Sequence, residues 1–256
     1  MLIITATFVC SVLSTQSTTT IERWGQWEDT WPGPTAGNPF VDVELSVEFS
    51  PPSGASYTVR GFYDGEGLFR ARFMPPSLGA WTFRTQSNAS VLDGICGGFV
   101  VVAPSAGNHG PVIARGTNFA HADGSPHHSV GTTVYGLFGA WVSDDTNLTA
   151  QTLKTLSTSP FNKVRVMAFP VGSGPAELLP YLPQGGVEGA PSDLSRFNVQ
   201  FWRHIDDVVR SLLALGVQAD IILFNLYMAT YPAGLACMGG PNASTYELDA
   251  DTRCLC

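Results

Sequence analysis

A chain of 256 residues is long enough for one or two domains with substantial apolar cores, which excludes a disordered polypeptide. Its formal charge of -8, with 13 Lys and Arg and no basic run, excludes a nucleic-acid or anionic-membrane surface, because such partners need clustered positive charge. Abundant Gly (27) and Pro (18), with charged residues at 13%, indicate a turn-rich β component and an extracellular style of surface.

The chain opens on MLIITATFVCSVL, an apolar stretch too short to span a bilayer, followed by Ser14-Thr15-Gln16-Ser17. Residues 1–17 read as a signal peptide, which makes the protein secreted or extracellular. No Lys or Arg precedes the apolar run, and the competing reading is a buried N-terminal strand. No other stretch is apolar enough to form a membrane span. Three sequons, at Asn88, Asn147 and Asn242, are candidate glycosylation sites in a host that glycosylates. Loss of Cys10 with the leader leaves Cys96, Cys237, Cys254 and Cys256. The last two are too close for an unstrained mutual bridge, and Cys-x-Cys without a second pair or a nearby His is a poor metal site. No metal is expected.

From residue 21 to 112 short strands recur between turn signals, the pattern of a β-sandwich. Val41, Val43, Leu45, Val47 and Phe49 alternate with polar residues and predict one strand with a buried face. Tyr57 to Phe62 and Leu68 to Phe73 flank Asp64-Gly65-Glu66-Gly67, whose glycines suit a tight hairpin. Ala80 to Thr85 and Gly98 to Val102 complete at least five strands. Trp24, Trp27, Trp31 and Trp81 could form a sugar-stacking platform. Core packing is the better account for Trp24 and Trp81. Asp64 and Glu66 read as hairpin residues rather than a catalytic pair.

Ser105 to Pro111 is a loop by composition and separates this unit from residues 113–256. Phe119 to Val130 reads as a hairpin around Asp123-Gly124, leading into a strand from Ser129 to Leu137. His121, His127 and His128 lie here without convincing ligand spacing and are expected to be surface residues. A helix follows over Asp144 to Leu156, then a strand from Lys163 to Phe169. Pro170 to Ser192 is a long Gly/Pro-rich loop. Asn198 to Leu215 is a second helix, with Asn198 as N-cap, Phe201, Ile205, Val208, Val209 and Leu212 at helical spacing, and Gly216 beyond its end. Ala219 to Tyr227 is a further strand, in which Ile221 to Phe224 form the continuous apolar run of a strand buried on both faces.

This strand–helix–strand order predicts a right-handed parallel unit of a TIM-type barrel, whose active sites lie at the carboxyl ends of the strands. The residues there are Thr133, Tyr135, Phe169, Asn225 and Tyr227. Tyr135, Phe169, Asn225 and Tyr227 become the candidate substrate-binding residues, since Tyr and Asn offer hydrogen bonds and a stacking face to an uncharged polyhydroxylated ligand. A competing account has them simply closing the barrel top.

Several ordered segments resemble the apiosidase-like glycoside hydrolases that carry an N-terminal immunoglobulin-like domain. They are Phe62-Tyr63-Asp64-Gly65, Arg72-Phe73-Met74-Pro75, Gly79 to Phe83, Gly107-Asn108-His109-Gly110-Pro111, Ala122-Asp123-Gly124, Gly131 to Tyr135, Phe161 to Arg165, Ser195 to Asn198 and Ala219 to Phe224. The resemblance covers about residues 22–250. It implies a multidomain β plus α/β protein, an immunoglobulin-like β-sandwich followed by an incomplete (β/α)8 TIM barrel. It implies a secreted enzyme acting on polysaccharide glycosidic bonds with no cofactor, and a carbohydrate as partner.

Glycoside hydrolysis ordinarily uses two carboxyl groups, and in the resembled barrels these come from the fourth strand onward. The expectation is therefore a chain that stops short of its catalytic carboxylates and is inactive by itself; no catalytic residue is assigned within it. Asp220 enters its strand at the amino end, Asp144 and Asp145 precede a helix, Asp123 belongs to a turn, and Glu177 and Glu188 lie in the long loop. Gly136-Leu137 and Asn225 to Met228 depart from the resembled pattern, which expects a small residue and Trp, and His-Pro-Tyr-Asp. The alternative reading is a non-catalytic β-sandwich that binds carbohydrate or protein.

Overall fold

The computed structural model describes residues 19–138, 146–168, 180–187, 190 and 192–223. The expected signal peptide lies outside them, as do Asp144, Asp145, Phe169, Glu177, Glu188, Asn225, Tyr227, Asn242 and Cys10, Cys237, Cys254 and Cys256. Two compact units divide between His128 and Ser129. The protein is β-rich.

In the first unit, β1 (Thr19–Glu22), β3 (Leu45–Ser50), β4 (Tyr57–Arg60), β7 (Gly79–Ser87) and β8 (Cys96–Val102) form one sheet in the order β1-β8-β7-β3-β4. A second sheet has the order β2-β6-β5, from β2 (Trp27–Pro32), β5 (Phe62–Tyr63) and β6 (Leu68–Phe73). Alternation supplies their shared core. Leu45, Val47 and Phe49 of β3, Trp81 and Phe83 of β7, and Phe99 and Val101 of β8 are buried with Trp27, Trp31, Phe69, Ala71 and Phe73 of the smaller sheet. Phe49 stacks on Phe73 with ring centroids 4.2 Å apart. Removing such a buried ring costs about 3–5 kcal/mol.

Three expectations change here. The strand predicted from Val41 begins only at Leu45, because Pro39–Asp42 forms a helical turn, α1, in which Asp42 Oδ2 accepts from the Asn38 amide at 2.6 Å. Val41 is consequently 51% exposed. The predicted strand Tyr57 to Phe62 is two strands in different sheets, and the chain changes sheet at Gly61. A Cβ there would lie 2.5 Å from Leu45 Cδ2. Trp24 stands apart from the core formed by the other three tryptophans. Its φ is +64°, a conformation that costs a non-glycine residue about 1–2 kcal/mol.

The hairpin after the loop is also displaced. It pairs β9 (Val112–Arg115) with β10 (Asn118–His121), and Asp123-Gly124 forms a separate turn closed by an Ala120–Pro126 bridge.

In the second unit, β11 (Gly131–Thr133), β12 (Lys163–Met167) and β15 (Gln218–Ile222) form a parallel sheet in that order. Helix α2 (Thr146–Thr158) joins the first two strands and α3 (Val199–Ala214) leads to the third. α3 buries Phe201, Ile205, Val208 and Leu212 against Val164 and Val166 of β12. Asn198 caps it by accepting from the Phe201 amide at 3.5 Å, and Gly216 leaves it at φ +73°. The apolar run of β15 is only half-buried, and Leu223 is 45% exposed. β15 lies at an edge of the described sheet, with a neighbour on one side only.

Candidate functional site at the carboxyl ends of the parallel strands

β11, β12 and β15 run in one direction, so the segments that leave them share one end of the sheet. Beyond β11 the ladder continues irregularly: the Val134 amide donates to the Arg165 carbonyl at 2.9 Å, and the Met167 amide to the Tyr135 carbonyl at 3.3 Å. This holds the backbone of Tyr135 beside the end of β12 and leaves its side chain 51% exposed. Thr133 is the last residue of β11, and its side chain is exposed. Phe169, Asn225 and Tyr227 lie outside the described residues, so Tyr135 is the one candidate substrate contact that the structure places.

The long loop expected after β12 contains a hairpin, β13 (Tyr181–Pro183) with β14 (Ser192–Phe197). It precedes α3, so the topology sets it at the same end of the sheet. Tyr181 pairs with Phe197, and their rings stack with centroids 5.0 Å apart at 29°. Phe197 lies edge-on to Trp202 at 6.1 Å. The Pro180 carbonyl accepts from both the Asn198 amide at 2.9 Å and the Trp202 indole at 3.0 Å, which pins the hairpin to the start of α3. The sequence reading missed this hairpin; the signal was Tyr181 and Phe197 flanking the turn-forming Gly185-Gly186, both at positive φ.

The described carboxylates of this unit are all ion-paired. Asp220 is 3.1 Å from Arg165 and 3.3 Å from Lys163; burial pushes its carboxyl up, but hydrogen bonds from these two cations outweigh that and lower it. Asp206 and Asp207 pair with Arg210 at 3.5 and 2.8 Å. Asp193, on β14, accepts from the Ser195 hydroxyl at 2.6 Å and amide at 3.0 Å and lies 3.5 Å from Arg196. Those Ser195 bonds, then Arg196, hold it below the usual carboxylate range.

Polar clusters in the first unit serve architecture. Asp64, read as a hairpin residue, is buried and 2.6 Å from Arg70, which also meets Glu28 at 2.6 Å; Arg72 bonds the other Glu28 oxygen. Glu66 joins Gly65 and Gly67 at positive φ, so three consecutive residues make that turn. Trp24 is covered by the Arg23 guanidinium, 4.1 Å from its ring centroid, and packs against Gly110, where a Cβ would approach the indole to 2.6 Å. That close approach on the ring is unlike an open sugar platform. His109, His121 and His127 cluster, with His121 Nε2 3.3 Å from His127 Nδ1. Among the described residues no group of three or more His, Cys, Asp or Glu is placed to hold a metal ion.

Of the sequons, Asn88 is exposed in the turn after β7; its Nδ2 donates to the Asp42 carbonyl and its Oδ1 accepts from the Glu44 amide. Asn147 falls in the first turn of α2, and Thr149 of that sequon is buried. No described helix is long and apolar enough to cross a membrane.

Residues 20–88 match a domain of unknown function, DUF5060. A crystal structure of a candidate glycoside hydrolase from Bacteroides vulgatus is 36% identical, with a TM-score of 0.73. The likeness covers 82% of this chain, which spans 42% of that structure. The protein is thus glycoside-hydrolase-like and carries a DUF5060 domain. Pullulanases from Bacillus subtilis and an Anoxybacillus species match at 13% and 14% identity over 90% and 80% of this chain and 36% and 33% of theirs. Their TM-scores, 0.23 and 0.22, are too low to bear on the fold. No curated protein matches.

Proposed function

We propose that this chain is part of a secreted, apiosidase-like glycoside hydrolase acting on polysaccharide, with an immunoglobulin-like β-sandwich preceding the opening strands of a (β/α)8 barrel. The observation that carries the reading is the 36% identity, over 82% of the chain, to a candidate glycoside hydrolase. Two sheets enclosing one aromatic core, followed by a parallel β–α–β unit, are the architecture such a protein needs. Tyr135, exposed two residues beyond the end of β11, is the proposed substrate contact among the described residues. Hydrolysis takes an acid and a second carboxylate flanking the bond. Among the described residues of the second unit, Asp193, Asp206, Asp207 and Asp220 are each committed to an ion pair, and none is assigned that role; the behaviour proposed for the 256-residue chain is glycan binding without cleavage.

The test is a reducing-sugar assay and a binding titration of the 256-residue chain against soluble plant polysaccharides. Saturable binding without release of sugar is the expected result. Robust turnover would place an acid–base pair within this chain and overturn its assigned inactivity. Absence of binding across the panel would overturn the glycan reading.

A further inference from the structure

The end of β10 and the turn after it bring three imidazoles and a carboxylate together. His109 Nδ1 meets Asp123 Oδ2 at 2.7 Å, the His109 and His121 ring centroids are 5.4 Å apart, and those of His121 and His127 are 4.9 Å apart at 89°. What each nitrogen faces sets where the protons sit. His121 Nδ1 lies 3.3 Å from the Gly110 carbonyl, which can only accept, so this nitrogen carries a proton and Nε2 of the neutral ring carries the lone pair. His127 Nδ1, 3.3 Å from that Nε2, is then the donor. A proton added at His127 Nε2 keeps this bond. A proton added at His121 Nε2 as well sets two N–H groups and two positive charges against each other across 3.3 Å.

The charges around the pair are already engaged or add to the repulsion. Hydrogen bonds from the Ser125 hydroxyl, then from His109 and the Ser125 amide, hold the Asp123 carboxyl well below the usual carboxylate range, so it stays ionised and serves His109. Glu22 accepts from the Ser105 amide and the Asn108 side chain. The cations are Arg115 of β9, whose Nη1 would lie 3.6 Å from a Cβ on Gly124, and Arg23, stacked on the Trp24 indole that packs against Gly110. His128, next in the chain, is a further imidazole. The pair fastens the segment that leads out of the first unit, since His127 stands immediately before the last residue of that unit. Few backbone bonds help it: the His127 amide to the Phe119 carbonyl at 3.4 Å, the His121 amide to the Ser125 carbonyl at 2.9 Å, and the Ala120–Pro126 bridge. A turn with so few bonds opens at low free energy, so a local repulsion is enough to shift it.

We propose that His121 and His127 form a pH-sensitive clasp: one proton shared between them closes the turn onto β10, and protonation of both rings in mild acid opens residues 122–128, the segment that leads to the second unit. The bond is fully present while one of the two facing nitrogens is unprotonated, and it is lost as pH falls through the range in which imidazoles charge. The clasp goes beyond the glycan reading and does not rest on it.

The experiment follows amide exchange of the full 256-residue chain by mass spectrometry from about pH 7.5 to about pH 4, corrected for the intrinsic pH dependence of exchange. In the wild type, protection of residues 122–127 should fall about tenfold by about pH 5 while that of β3 and β7 holds. His127→Asn and His121→Asn each keep an amide donor near the place of Nδ1 and cannot take up the second charge. In both, protection should change less than about twofold over the same range, whatever its starting level. His128→Asn, which also removes one imidazole, should behave as wild type. Flat protection in the wild type overturns the clasp, as does an equal fall in β3 and β7, a tenfold fall in either pair variant, or a His128→Asn that abolishes the fall. Should the pair variants fail to fold, the pH of the wild-type transition decides. A fall complete by about pH 5 belongs to imidazoles and supports the clasp; one confined below about pH 4.5 belongs to carboxylates and overturns it.

Discussion

His109 Nδ1 lies 2.7 Å from Asp123 Oδ2, joining the loop that leaves the first sheets to the turn that follows β10. The bond connects two segments that were recognisable separately in the sequence. It is reinforced by the Ala122 amide donating to the Pro111 carbonyl at 2.9 Å and the Asp123 amide to the His109 carbonyl at 3.2 Å. A two-stranded hairpin is marginal alone, so these bonds are what keep β9 and β10 in place. Asp123→Ala should raise amide exchange across Val112 to Ser125 and leave protection of β3 and β7 unchanged, as read by hydrogen–deuterium exchange. Equal protection of the hairpin in the variant would refute this.

Glu28 should make the first unit acid-sensitive. Partial burial pushes its carboxyl up, but hydrogen bonds from Arg72 and Arg70 outweigh it, and the net shift is downward. A carboxyl lowered on folding stabilises fully above its unfolded value, about 4.3, and that stabilisation is lost as pH falls through the lower folded value. Glu28→Gln should cost about 1 kcal/mol at pH 7 and should lose less stability than wild type between pH 5 and 3. Parallel stability curves in urea titrations would contradict it.

Thr85 is fully buried, and its hydroxyl donates to the Leu92 carbonyl at 2.5 Å while accepting from the Ile95 amide at 2.9 Å. Thr85→Val keeps the shape and orphans both backbone groups. The expected loss is about 1–3 kcal/mol per group. A fall in unfolding midpoint without a change in denaturant slope would show it.

Gly110 packs its α-carbon on the Trp24 indole at φ +74°. Gly110→Ala adds a methyl into the ring and a residue that dislikes this backbone, at a cost of about 2–4 kcal/mol. Gly107→Ala, where a Cβ meets nothing within 4 Å, is the control and should be near neutral. Thermal melts of the pair separate a specific clash from a general loop effect.

Removing the cap of α3 should be measurable. Asn198→Ala takes away the acceptor for the Phe201 amide, at a cost of about 1 kcal/mol. Asn198→Ser should recover most of it. Equal melting of all three proteins would mean the cap contributes nothing.

The parts legible in the sequence are those set by neighbours in the chain. α3 was complete in outline because its cap, its apolar spacing and Gly216 all lie within one twenty-residue window. The buried face of β3 was also readable, but the alternation ran on through Val43 and Val41, where Pro39 and Asp42 impose a helical turn. Non-local decisions were hidden. Nothing near Gly61 signals that the chain changes sheet there, since the reason is the Leu45 side chain packed against it. The Tyr181–Phe197 hairpin was hidden by the register shift between Tyr181 and Pro183, which breaks its alternation. At the candidate site, the end of β11 was readable as a position, whereas the pairing of Asp193 with Ser195 and Arg196 required the fold.

β1 lies parallel to β8, with Thr19 opposite Phe99. During synthesis the first strand must therefore remain without its ladder until eighty further residues have been made, a delay on the order of ten seconds at ordinary elongation rates. Until β8 is made, the flank of the growing sheet that β8 will occupy is an open edge, the feature that recruits foreign strands. Covering β8 with β1, which then becomes the outer strand itself, is a late, long-range event in the life of the nascent polypeptide. Slower elongation lengthens that interval and with it the time for which the edge stands open.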